Sequence, residues 1–192
     1  MKFTLELKGT SPLLMHNPRM VDPQFPIVIE LKALTSKKRK TDEDLANIAR
    51  LEWHGGLFEE DGVVVMTTAK VRKCFIETAR INKMGKNVER AVAFGSVWVP
   101  LIYDGPKNID ELFADKRFHS YLSVGVNGKK RVMRTRPKFF PWAVKIDGLL
   151  VEGAGLNFDE LEKIAELSGV TVGAGDNRVN GYGRFEGRIV KR

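Results

Sequence analysis

The chain has 192 residues, 43% hydrophobic and 29% charged, the composition of an ordinary globular protein long enough for one substantial core. A formal charge of +8 favours polyanionic partners, nucleic acid or an anionic membrane. A single cysteine, Cys74, rules out an internal disulfide and a zinc cluster, and no apolar run reaches the ~20 residues of a membrane span.

The opening MKFTLELKGTSPLLMHN has no unbroken apolar stretch with a cleavage site. It is therefore expected to belong to the mature fold, in a reducing, cytoplasmic compartment. Within it, residues 2–9 place Phe3, Leu5 and Leu7 on one side and polar neighbours on the other, which predicts a strand with one buried face. Pro12, Pro18, Pro23 and Pro26 mark residues 10–26 as an irregular loop. After the basic run KKRK (37–40), Thr41 and Asp44 form a capping pair for a helix from Asp42 to about Trp53.

Residues 56–67 read as a hairpin turning at Asp61-Gly62. Thr67 or Thr68 then caps a helix to about Lys83, with Val71, Cys74, Phe75, Thr78 and Ala79 as its inner stripe. Lys70, Lys73, Arg80 and Lys83 form another face, read as solvated, and Gly85 is the stop signal. Residues 96–103 predict a further strand and 108–114 a short helix.

The last third is the most regular. SYLSVGV (120–126) and KRVMRTR (130–136) flank Asn127-Gly128, a hairpin turn, and residues 140–152 supply one or two more strands. Asn157 with Glu160 caps a helix whose inner face is Phe158, Leu161, Ile164 and Ala165, closed by Gly169. GVTV (169–172) and GRFEGRIVKR (183–192) are predicted strands on either side of a glycine-rich loop.

Reduced to its core, the order is strand, helix, two antiparallel strands within 121–147, helix, strand. The predicted fold is α+β, a ferredoxin-like or RRM-like βαββαβ core with large insertions at about 10–66 and 85–120, in a single domain.

The stretch GAGDNRVNGYGRFEG (173–187) holds five glycines, four of them in the pairs Gly173/Gly175 and Gly181/Gly183. Such a cluster serves either positive φ and close backbone packing or the approach of a ligand. As a ligand site, consecutive amides would cradle phosphate, and Arg178 and Arg184 would add charge-assisted contacts. A dinucleotide fingerprint would have to follow a first strand, and the Gly-Lys-Ser/Thr of a P-loop is absent.

A βαββαβ domain whose last helix leads into Gly-x-Gly, five residues and Gly-x-Gly resembles the RAMP superfamily, the RNA-binding backbone and guide-processing subunits of CRISPR effector complexes. Here the match is Gly173-Ala174-Gly175, DNRVN, then Gly181-Tyr182-Gly183-Arg184-Phe185, with LELKGTSPLL resembling the first strand and its loop. A similar plan is familiar from uncharacterised bacteriophage-encoded proteins. The resemblance implies single-stranded RNA as partner, stacking as a homo-oligomer or with effector-complex subunits, and no cofactor.

The basic hairpin GKKRVMRTRPK (128–138) adds Lys129, Lys130, Arg131, Arg134 and Arg136 without an acidic residue. If its strands belong to the central sheet, these side chains line the open sheet face or its rim, beside Phe139, Phe140 and Trp142. Single strands, whose bases can stack, suit such a platform better than a duplex. Single-stranded DNA is a variant of the same reading.

Catalysis has a weaker basis. Guide-processing relatives use a histidine, and His16, just after the first strand, is the candidate general acid or base of a metal-independent ribonuclease. His54 is explained by its place at a helix end, His119 has no evident partner, and Asp22 falls in the insertion where some relatives carry a catalytic aspartate. No metal-ligand spacing occurs. A protein-interaction module meeting an acidic partner is the remaining alternative. The expectation is a nucleic-acid-binding protein that grips the phosphate backbone without sequence preference.

Overall fold

Alternation in the opening stretch builds the middle of the core sheet. The computed structural model describes residues 1–126 and 130–192, with the side chains of Val126 and Lys130 left out. Contacts group the chain into two compact units: Met1–Leu13, Val63–Asp104 and Phe140–Arg192 form the first, Leu14–Gly62 and Gly105–Phe139 the second.

In the first unit, β1 (Lys2–Gly9) is followed by α1 (Thr68–Arg80), β2 (Val92–Phe94), β3 (Trp142–Leu150), α2 (Phe158–Thr171) and β4 (Phe185–Lys191). The sheet order is β4-β1-β3-β2, and the pairings are antiparallel. This is the ferredoxin-like βαββαβ arrangement, in an α+β fold. Leu5 stands opposite Ile146 on one side and Ile189 on the other, and the three share the face that the helices cover. Val71, Cys74 and Phe75 of α1 and Leu161, Ile164 and Ala165 of α2 complete that core. The capping box of Asn157 and Glu160 starts α2 as the sequence predicts.

The end of α2 differs. Gly169 does not close the helix, which runs on to Thr171, so GVTV is its last turn rather than a strand. A Cβ on Gly169 would stand 1.7 Å from the Phe185 carbonyl oxygen, so the glycine lets helix and strand touch backbone to backbone. Gly173 is the stop instead, donating its N–H to Ser168 O at 2.8 Å with φ of 79°. Gly85 likewise opens a short helix, Gly85–Ala91, and residues 96–103 hold two short strands, Trp98–Pro100 and Ile102–Tyr103, rather than one.

In the second unit, the helix Asp42–Gly56 starts at the predicted Thr41/Asp44 capping box, after a first helix, Pro26–Thr35, that the proline-rich stretch concealed. Arg19 closes the longer helix by donating to the carbonyls of His54 (2.8 Å) and Gly55 (3.2 Å). The helix packs on the strand Lys130–Phe139, which pairs antiparallel with His119–Val126. Trp53 is fully buried, with its indole N–H on Phe118 O at 2.9 Å. The strands of the basic hairpin therefore lie outside the ferredoxin-like sheet, contrary to the expectation from sequence. Val92–Phe94 and Trp142–Leu150 occupy the second and third core positions. The turn at Asn127-Gly128, and Lys129 with it, lies outside the described residues.

Candidate nucleic-acid interface

Five residues of the glycine-rich loop have positive φ: Gly173, Gly175, Asn177, Gly181 and Gly183. A Cβ on Gly183 would stand 1.7 Å from Ala174 O, because Ala174 N–H donates to Gly183 O at 2.8 Å and the two ends of the loop lie backbone on backbone. The segment after β1 ties down the same end. Gly183 N–H donates to Pro12 O (2.8 Å), Ser11 Oγ donates to Gly181 O (2.8 Å), and Arg184 N–H donates to Ser11 Oγ (2.8 Å). Packing thus accounts for Gly173 and Gly183, while Gly181 faces open space.

Beside the loop is a cleft of about 570 Å³ lined by Glu77, Thr171, Val172, Gly175–Val179 and Arg184. Both predicted arginines are here. Arg178 donates to Glu77 Oε2 at 2.9 Å. Arg184 donates through Nη2 to Arg178 O at 3.3 Å, and its Nη1 is buried with no acceptor. Lys70, read from sequence as a solvated residue, is half-buried on the first turn of α1. Burial pulls its pKa down to about 8, with Asp176 opposing that shift and Arg178 adding to it. Nothing in the local sequence marks Lys70, because the residues that act on it are a hundred positions away.

The open face of the core sheet is not a basic floor. Cross-strand neighbours share a face, which puts Glu6, Lys145 and Arg188 together there, with Thr4 and Asp147 beyond them. Lys145 pairs with Glu6 at 2.8 Å and Arg192 with Asp147 at 3.0 Å, so cations on this face are offset by carboxylates. A groove of about 670 Å³ runs over it, walled by Ile102, Tyr103 and Pro141.

The hairpin's cations differ from one another. Arg131 is exposed and folds onto the neighbouring strand, with Nε donating to Ser123 Oγ at 2.9 Å. Arg134 is committed to Glu52, a carboxylate that is 2% exposed. Arg136 is half-buried, and the backbone of Lys130 is in the strand. Of the neighbouring aromatics, Phe139 and Trp142 are core and only Phe140 is exposed. The loop and the hairpin belong to different units.

The residues weighed for catalysis do not converge. His16 is half-buried before a 3-10 turn at Pro18–Val21, Asp22 ends that turn, and both belong to the second unit. His54 and His119 flank Phe113, with ring centres 5.0 and 4.9 Å from it. Burial is the largest cause lowering the pKa of each. His119 Nε2 lies 2.6 Å from Phe113 O, so that nitrogen carries the proton. Among the described residues, no three His, Cys, Asp or Glu side chains gather as a metal would require, and no helix is long and apolar enough to cross a membrane.

No protein-family model matches the chain, and a search among curated proteins found no match. Among solved structures, the fold is similar to a chain of the Type III-B Cmr-beta complex bound to cognate target RNA, determined by cryo-EM. The TM-score is 0.56 at 10% sequence identity, and the match covers 99% of this chain. The chain spans 60% of that neighbour's length. At this identity the two chains share the fold alone.

Proposed function

We propose that the protein binds single-stranded nucleic acid, RNA in the first place, by its phosphate backbone, as a RAMP-like subunit that stacks with copies of itself or with effector-complex partners. The observation that carries this reading is the glycine-loop cleft, where Arg178 and Arg184 line the same surface as backbone free of side chains at Gly175. Arginine forks suit phosphate oxygens, and glycine lets a sugar-phosphate chain approach. Arg131 on the hairpin, an exposed residue, supplies a second contact. The net charge of +8 gives the long-range attraction. The fold shared with a chain of an RNA-bound Cmr-beta complex supports RNA over DNA as the strand.

The test is purification in moderate salt, followed by the ratio of absorbance at 260 and 280 nm and gel filtration before and after RNase or DNase. RNA that co-purifies in a large species, which collapses on RNase treatment, is the expected result. DNA in its place redirects the reading to single-stranded DNA. A clean monomer that fails to shift added oligonucleotides overturns it.

A further inference from the structure

We infer that the bound strand does not end at the cleft. Its phosphate backbone continues over a basic surface formed by the end of α1 and the short helix Gly85–Ala91, with Lys83, Lys86 and Arg90 as the contacts. This extends the nucleic-acid reading above, on which it rests, from one cleft to a longer track. It also gives a ligand to a region whose cations, Lys83 among them, read from sequence as solvated.

Net charge is concentrated here. Between Thr68 and Val92 the chain has seven lysines and arginines against two carboxylates, Glu77 and Glu89, a net +5 of the +8 carried by all 192 residues. Both carboxylates are already engaged, Glu77 by Arg178 at 2.9 Å and Glu89 by Arg80 at 3.9 Å. Lys83, Lys86 and Arg90 are exposed and, among the described residues, make no ion pair. The open face of the core sheet differs, since Lys145 and Arg192 there each have a carboxylate.

The short helix holds these charges in place. Arg72 Nη2 donates to Glu89 O at 2.5 Å and its Nε to Val92 O at 3.5 Å, so α1 satisfies carbonyls at the end of that helix. Asn87 Nδ2 donates to Gly155 O at 2.6 Å. Gly85, Val88 and Ala91 are buried, which turns Lys86 and Arg90 outward on one face, four residues and about 6 Å apart along the axis. Like charges at that spacing repel, and neither has a carboxylate of its own. A polyanion laid across them removes that cost.

A protein partner fits this surface less well. Interface centres are rich in aromatic and apolar anchors, whereas Ile81 is the only large apolar side chain exposed between Thr68 and Val92. The cleft is close by in the same unit: Glu77, which lines it, lies on α1 three residues before Arg80.

The experiment is fluorescence anisotropy at about 0.15 M salt, where exposed charges act over only about 8 Å. The probes are unmodified single-stranded RNAs of about 5 and about 15 nucleotides. The variants are Lys86→Glu/Arg90→Glu and the neutral Lys86→Gln/Arg90→Gln, which serves should the reversal unfold the chain; urea midpoints check both. Charge reversal should weaken binding of the longer strand about tenfold, the worth of one charge-assisted hydrogen bond. Its salt slope should be shallower by about 1.4, two contacts on a single strand. The neutral variant should fall between, and the shorter strand, held by the cleft, should change little. Arg184→Ala should weaken both lengths. A longer strand bound by the charge-reversed protein as tightly as by the parent overturns the track and leaves the cleft standing. So does a change in gel-filtration size with strand binding intact, which would assign the surface to an acidic protein partner. Failure of every strand to bind overturns the track and the nucleic-acid reading together.

Discussion

Arg134 and Glu52, 82 residues apart, form an ion pair in which Arg134 Nη1 meets Glu52 Oε1 while the other carboxylate oxygen accepts the Thr135 N–H at 2.7 Å. Glu52 is buried on the helix Asp42–Gly56, and the pair fixes that helix to the hairpin strand. Removing Arg134 leaves a buried carboxylate with no cation. Arg134→Ala should cost about 3 kcal/mol in urea unfolding, with Arg134→Glu worse still. Arg131→Glu, at an exposed position, should stay within about 0.5 kcal/mol of the parent. Equal stability of all three would mean that the pair does not hold the hairpin.

The loop glycines should separate by position. Gly183→Ala forces a Cβ to 1.7 Å from Ala174 O at φ of 69°, and should cost more than about 3 kcal/mol or abolish folding. Gly181→Ala meets no neighbour and bears only the strain of φ at 85°, about 1 kcal/mol. Thermal unfolding of the two variants checks the order, and a milder effect at Gly183 would contradict the packing described.

Acid should weaken the second unit through its histidines. Burial lowers the pKa of both His54 and His119 below the usual value, so the folded chain prefers them neutral while the unfolded chain takes up protons near pH 6.5. Their contribution to stability is complete above about pH 6.5 and is lost as the pH falls toward and through the lowered folded values. The urea midpoint should decline over that window, and His119→Gln should flatten the decline. A midpoint indifferent to pH there would exclude the effect.

Cys74 should be inert. It is fully buried in α1, donates to Ser168 O at 3.4 Å, and burial pushes its pKa up to about 12. A thiol-disulfide reagent should label it only after denaturation. Stoichiometric labelling of the native protein would show that the core opens readily.

The parts of the fold legible in the sequence were those set by local chemistry. Phe3, Leu5 and Leu7 alternate because one face of β1 is buried, and Asn157 with Glu160 satisfies the free amides of a helix start. Membership of a sheet was not legible. The strand Lys130–Phe139 is long and follows a hairpin turn signal, so it reads as a core strand, whereas Val92–Phe94, which does belong to the core sheet, has only three residues and shows no pattern. Gly169 reads as a stop by composition, but its reason is the Phe185 backbone across the interface. In the site, the glycines and arginines of the loop stood out by spacing. Glu52 and Glu77 did not, because their partners lie 82 and 101 residues away, and neither did Lys70, on which residues of the distant loop act.

The most direct test of the account is the salt dependence of binding to an unmodified single-stranded RNA, for the parent, Arg131→Glu and Arg184→Ala. Backbone binding predicts a linear fall of log affinity with log salt, and each variant should bind more weakly with a slope shallower by about one contact. No binding at low salt, or a slope that neither variant changes, would contradict it.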